Sequence, residues 1–133
     1  MDAGKYEAEQ GAIVPRVLIV DDDETVLLVL KRALDQLGWQ ATGVSNGAAG
    51  LAAYKENSFD VVLLDLNMPG LDGFAVLEKL REIDREVVVV IMTAYNSTEL
   101  VVRAMRGGAF DYLSKPLNMD HLAIVLDKTL KSR

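Results

Sequence analysis

Acids, a hydroxyl and a lysine stand at the ends of short apolar runs in this 133-residue sequence. Val61–Leu64 delivers one acid, Asp65, and the run then breaks at Met68, Pro69 and Gly70. Arg16–Val20 ends in Asp21, Asp22, Asp23 and Glu24, Val87–Met92 ends in Thr93, and Phe110–Leu113 ends in Ser114, Lys115 and Pro116. Where such ends meet, the carboxylates crowd. Like charges about 4 Å apart repel by roughly 1 to 4 kcal/mol at effective dielectrics of 80 to 20. A hard divalent cation such as Mg2+ relieves that repulsion, because two or three carboxylates plus a backbone carbonyl satisfy its preference for oxygen. Lys115 offers a second, mobile cation. Carboxylate, Mg2+, ammonium and hydroxyl together make a phosphoryl-transfer site, in which an aspartate attacks phosphorus while metal and lysine neutralise the equatorial oxygens.

The elements that bring these ends together follow from periodicity. The apolar runs are too short for helices and lack period-2 polarity, so they read as strands buried on both faces. A further strand, weakened by Gly43, covers 39–44. Between the strands the pattern turns helical. Val26, Leu27, Leu30, Leu34 and Leu37 form one face of a helix that begins at Thr25 and stops at Gly38. Ser45 or Asn46 caps a helix through about Asn57, with Ala48, Leu51, Ala52 and Tyr54 inward. Phe74, Leu77, Leu80 and Ile83 mark the next helix, and Asn96 or Ser97 caps one that ends at Gly107. The last runs from Asn118 or Met119 to Lys131 and buries Leu122, Val125, Leu126 and Leu130. Met92 and Met105 read as core fillers and His121 as a surface residue. Met1–Pro15 is polar and aperiodic and reads as a tail, leaving residues 16–133 as one domain.

Strict strand–helix alternation implies an α/β fold, a doubly wound, five-stranded parallel sheet covered on both faces. Five units are too few for an eight-stranded barrel. In the flavodoxin-like strand order 2-1-3-4-5, the first and third strands are neighbours at the switch point, and the acids meet beyond their carboxyl ends.

Composition narrows the function. With 14 basic and 20 acidic residues the net charge is −6, which argues against direct binding of nucleic acid. There is no cysteine and one histidine, which argues against thiolate metal sites and a Ser-His-Asp triad. No apolar run approaches the roughly 20 residues of a membrane span, so a cytoplasmic domain away from the membrane is expected.

The motifs VDDDE, LLDLNMPGLDG, MTA and SKP, in that order and each at a strand end, resemble the receiver (phosphoacceptor) domain of bacterial two-component response regulators. The match covers residues 16–131. The resemblance implies that Asp65 is phosphorylated by a phosphohistidine on a sensor histidine kinase. It implies Mg2+ as cofactor, held by Asp22, by Asp65, by the backbone carbonyl of Asn67 and through water by Asp21. Thr93 and Lys115 would bind phosphoryl oxygens, Lys115–Pro116 would be a cis peptide, and Thr93 and Tyr112 would relay the state to the face made by the fourth helix, fifth strand and fifth helix. Asn67 and Tyr95 occupy the positions that tune phosphate lifetime in the family. The run IMTAYNSTELVVRAMRGGAFDYLSKPL looks most like receivers of sigma-54-dependent (NtrC-type) activators. A second copy of the chain and an attached output domain that activates transcription are the further partners implied, with regulation rather than catalysis as the role.

Three other readings compete. A phosphatase with an aspartyl-phosphate intermediate needs a second acid two residues after the nucleophile, where this chain has Asn67, and a cap domain for which there is no room. A stand-alone receiver acts by protein–protein contact alone. A nucleotide-binding module is disfavoured because acids, not glycines, follow the first strand.

Overall fold

The computed structural model describes residues 14–68, 70, 72–94 and 97–132. Five strands alternate with five helices: β1 (Arg16–Val20), α1 (Glu24–Gln36), β2 (Gln40–Val44), α2 (Gly47–Glu56), β3 (Val61–Asp65), α3 (Gly73–Ile83), β4 (Val89–Ala94), α4 (Thr98–Arg106), β5 (Asp111–Lys115) and α5 (Met119–Lys131). The sheet is wholly parallel in the order β2-β1-β3-β4-β5, as the alternation requires. No helix among the described residues is long and apolar enough to cross a membrane.

Side-chain alternation divides the core in two. Val17, Ile19, Val61, Leu63, Val90, Met92 and Leu113 face Leu30 and Leu34 of α1 and Leu122, Val125 and Leu126 of α5. Leu18, Val20, Val62, Leu64, Val89 and Ile91 face the other way, onto Val76, Leu77 and Leu80 of α3 and Ala104 of α4. The central strand β3 is buried along its whole length, and its carboxyl end is an acid.

Several boundaries differ from the sequence reading for identifiable reasons. β5 begins one residue later than expected and runs on to Lys115, with Thr93 opposite Ser114 and Ala94 opposite Lys115. An edge strand has one hydrogen-bonding neighbour, so polar residues continue it at little cost. α1 begins at Glu24, not Thr25, because Asp23 caps it by accepting the Thr25 and Val26 N–H groups. Asn46, Asp72 and Asn118 cap α2, α3 and α5 in the same way.

α2 does not pack on the expected alanines. Ala48 and Ala52 are exposed, whereas Gly47 and Gly50 are buried. A Cβ on Gly50 would lie 2.8 Å from Cγ2 of Val20, so the helix approaches β1 where it has no side chain at all. Hydrophobic periodicity does not register such contacts. Met92 is buried as expected, but Met105 is 40 % exposed rather than a core filler. Pro15 is tied to the sheet edge through its carbonyl, which accepts the Gln40 N–H. Residues 1–13 of the expected tail over 1–15, Pro69 of the turn, Tyr95 and the alternative cap Asn96 lie outside the described residues, as does Arg133 at the end of the expected domain.

Candidate functional site

The same alternation that builds the core aims the polar residues. Asp21 is two residues beyond Ile19, Asp65 two beyond Leu63 and Lys115 two beyond Leu113, and all three apolar residues share one sheet face. The acids and the lysine therefore emerge on that face at the carboxyl edge. Asp21 extends β1 by one further ladder bond, its N–H donating to the Val44 carbonyl.

Asp21 is fully buried, Asp65 is 2 % exposed and Asp22 faces solvent. One carboxylate oxygen from each lies within 4.8 Å of the others. Lys115 Nζ is 2.7 Å from Asp21 Oδ2 and 3.4 Å from Asp65 Oδ2. The remaining oxygens are also engaged: the Asp23 N–H donates to Asp21 Oδ1 at 2.9 Å, and the Asn67 N–H donates to Asp65 Oδ1 at 3.1 Å. Three carboxylates against one ammonium leave a surplus of negative charge, and three oxygen donors this close fit a hard divalent cation.

Burial is the main cause that pushes the Asp65 carboxyl above its ordinary range. The Asn67 N–H opposes that rise, the Asp21 charge adds to it, and Lys115 opposes it. For Lys115 burial works against the ammonium. The hydrogen bond to Asp21 and the charges of Asp65 and Asp21 outweigh it, and the amine is held above its usual range. Lys115 is a permanent cation in a site that is short of one.

Thr93, 1 % exposed, carries a hydroxyl with no hydrogen-bond partner among the described residues. A buried hydroxyl left without a partner costs about 1–3 kcal/mol. Thr93 follows Ile91 on the strand and shares the sheet face covered by α3 and α4. Tyr112 lies opposite Ile91 in the β4–β5 register, hence on the same face, and is 39 % exposed at the sheet edge.

The structure thus brings together Asp21, Asp22, Asp65 and Lys115, with Asn67 hydrogen-bonded to Asp65. Tyr112 stays apart at the edge. His121 is exposed, as expected. The Lys115–Pro116 peptide is cis.

One positioning residue escaped the sequence reading. A Cβ on Gly73 would lie 2.6 Å from Cα of Leu66 and 2.8 Å from the carbonyl oxygen of Asp65. Only glycine lets the start of α3 seat against the backbone that carries Asp65. The available signal was the Asp72-Gly73 pair at the helix start, where a glycine after the cap has no conformational need.

Comparison with known proteins agrees with this geometry. Residues 17–127 match the response regulator receiver domain. The chain belongs to that family. It is a receiver domain of the two-component systems, with NtrC-type transcription regulators among its relatives. It is 36 % identical over 118 residues to the regulatory protein AtoC of Escherichia coli K12, covering 89 % of this chain and 26 % of that protein. It is 39 % identical over 114 residues to the DNA-binding transcriptional regulator NtrC of the same strain, covering 86 % of this chain and 24 % of NtrC. The chain thus spans about a quarter of the length of these relatives. Among solved structures, the receiver domain protein of Clostridium thermocellum superposes with a TM-score of 0.85 at 31 % identity, covering 90 % of this chain and 96 % of that one.

Proposed function

We propose that this receiver, residues 16–133 with 1–15 as a tail, stores a phosphoryl group on Asp65 taken from the phosphohistidine of a sensor histidine kinase. The observation that carries the reading is the buried Asp65 carboxylate, paired with Lys115 at 3.4 Å and neighboured by Asp21 and Asp22. One Asp65 oxygen attacks phosphorus, the P–N bond to the kinase imidazole breaks, and the imidazole leaves with the bonding pair. Asp22, Asp65 and the Asn67 backbone carbonyl would hold Mg2+, with Asp21 acting through water, and the ion when bound would neutralise charge on the phosphoryl oxygens. Lys115 is already an ammonium within reach of Asp65, and its shift from Asp21 towards a phosphoryl oxygen needs no proton transfer. The Thr93 hydroxyl gains the acceptor it lacks.

That gain is the differential contact that biases the switch. Thr93 moves towards phosphate, Tyr112 turns from the sheet edge into the space behind it, and the face formed by α4, β5 and α5 changes. The role is regulatory and cytoplasmic, with an attached transcription activator as output and a second copy of the chain as a partner, and without direct nucleic-acid binding. The absence of an acid at Asn67 separates this reading from a phosphatase. Beryllofluoride with Mg2+, followed by amide NMR, is expected to shift signals from Thr93 to Tyr112, and Asp65→Asn to abolish that response. Labelling of Asp65→Asn by acyl phosphate at the wild-type level would sink the assignment.

A further inference from the structure

The helices that cover one sheet face carry a second, basic feature. A groove of about 760 Å3 runs between α3 and α4 and shares no lining residue with the phosphoacceptor site. Its floor is apolar, with Phe74 and Leu77 of α3 and Gly107 after α4. Its walls carry four arginines: Arg81 on α3 and Arg85 just beyond it, Arg103 and Arg106 on α4. Against them stand two glutamates, Glu78 and Glu82, so the lining is net positive on a chain of net charge −6.

Among the described residues, none of the four guanidinium groups is in an ion pair. Arg103 lies 3.9 Å over the centroid of the Phe74 ring, which leaves its N–H edge free. Arg81 donates to the Gly108 carbonyl at 3.4 Å, and a Cβ on Gly108 (φ +103°) would collide with its guanidinium. Two of the four are therefore held in place by their surroundings before any ligand arrives, which lowers the ordering cost of binding.

The spacing distinguishes a linear ligand from a point anion. Arg103 and Arg106 stand three residues apart, a rise of about 4.5 Å along the helix, and Phe74 to Ile83 spans about 14 Å. On the α3 wall Arg81 and Arg85 alternate with Glu78 and Glu82, so the positive surplus comes from Arg103 and Arg106 on α4, beside the apolar floor. An apolar stripe bordered by acids is complementary to that pattern, and a helical segment of about three turns matches its length.

We propose that the α3–α4 groove docks an acidic amphipathic helix of a partner protein, its apolar side chains on Phe74 and Leu77 and its carboxylates on Arg81, Arg103 and Arg106. The test uses the Asp65→Asn chain, so that the outcome is independent of phosphorylation. The probe is a fluorescein-labelled, capped helical peptide of about 14 residues, with leucines at helical spacing and glutamates elsewhere, followed by anisotropy and amide NMR. Saturable binding is expected, with shifts confined to 74–85 and 103–107. R103E/R106E should weaken it about tenfold or more, and R103Q/R106Q by less, with amide spectra showing both variants folded. Several results would overturn the proposal: no saturation by about 1 mM peptide, unchanged affinity in both variants, or equal binding of the lysine-for-glutamate peptide. Tighter binding of inorganic triphosphate or single-stranded DNA at the same residues, or self-association through this face in light scattering, would likewise overturn it.

Discussion

Replacing Asp65 by Asn removes one charge from a buried cluster and keeps the shape of the side chain. At the 4.8 Å limit that encloses the three carboxylates, each repulsion with Asp21 or Asp22 is worth about 1–3.5 kcal/mol at dielectrics of 80 to 20. The attraction to Lys115 at 3.4 Å is worth about 1–5 kcal/mol on the same scale. The two repulsions together slightly exceed that attraction, and keeping a 2 % exposed carboxylate ionised adds a cost of the same sign: in metal-free protein at neutral pH, Asp65→Asn is more stable than wild type by about 1 kcal/mol or more. Lys115 retains Asp21 as its partner, so no unpaired charge is left behind.

The pH dependence carries the stronger test. The folded protein holds the Asp65 proton more tightly than the unfolded chain does, so the penalty for ionisation is absent below the unfolded value of about 3.9 and develops as pH rises through the folded one. Urea unfolding followed by the fluorescence of the buried Trp39 in EDTA should therefore show a midpoint higher by about 0.5–1 M in Asp65→Asn at pH 7, shrinking towards zero as pH falls to about 4. Millimolar Mg2+ should reverse the order, because only the wild type retains all three carboxylates. A variant less stable than wild type at pH 7 without metal, or a difference that does not change with pH, refutes this account of the site.

Three further outcomes test the surrounding structure. Thr93→Val keeps the volume and removes the unpartnered hydroxyl, so it should stabilise the unphosphorylated protein by about 1–2 kcal/mol in urea titrations while removing the beryllofluoride response at Tyr112. Gly73→Ala forces a Cβ into the backbone of Leu66 and Asp65 and should cost about 1–3 kcal/mol, with slower labelling by acyl phosphate even where the protein remains folded. Tyr54→Phe removes the 2.7 Å hydrogen bond from the Tyr54 hydroxyl to Asp84 Oδ2. Burial first and that bond second hold the phenol above its ordinary range, and the loss should lower the thermal midpoint by a few degrees, about 1 kcal/mol.

The strand–helix alternation, the parallel order and the meeting of Asp21, Asp22, Asp65 and Lys115 at one sheet edge were legible before any coordinates. Apolar runs of four to six residues with one acid, hydroxyl or lysine at the end are a local signal, and a doubly wound sheet places all such ends on one edge. Cap residues were equally local: Asn46 and Asn118 accept N–H groups three residues away, within reach of short-range pattern reading. Even the extra residues of β5 were hidden only because polarity at an edge strand carries little information.

Tertiary structure decided what depends on distances between elements. That Lys115 bonds Asp21 more closely than Asp65, across 94 residues of chain, follows from the β1–β3–β4–β5 register and not from any motif. Gly50 and Gly73 matter for the side chain they lack, and the atoms that would collide with one, Val20 and the Asp65–Leu66 backbone, belong to other elements. The same holds for the arginine groove: Arg81 and Arg103 are unremarkable on their own helices and become one feature only when α3 and α4 lie side by side. Periodicity reports which face of an element is apolar. Which neighbour meets that face, and how closely, is fixed by packing of the whole chain.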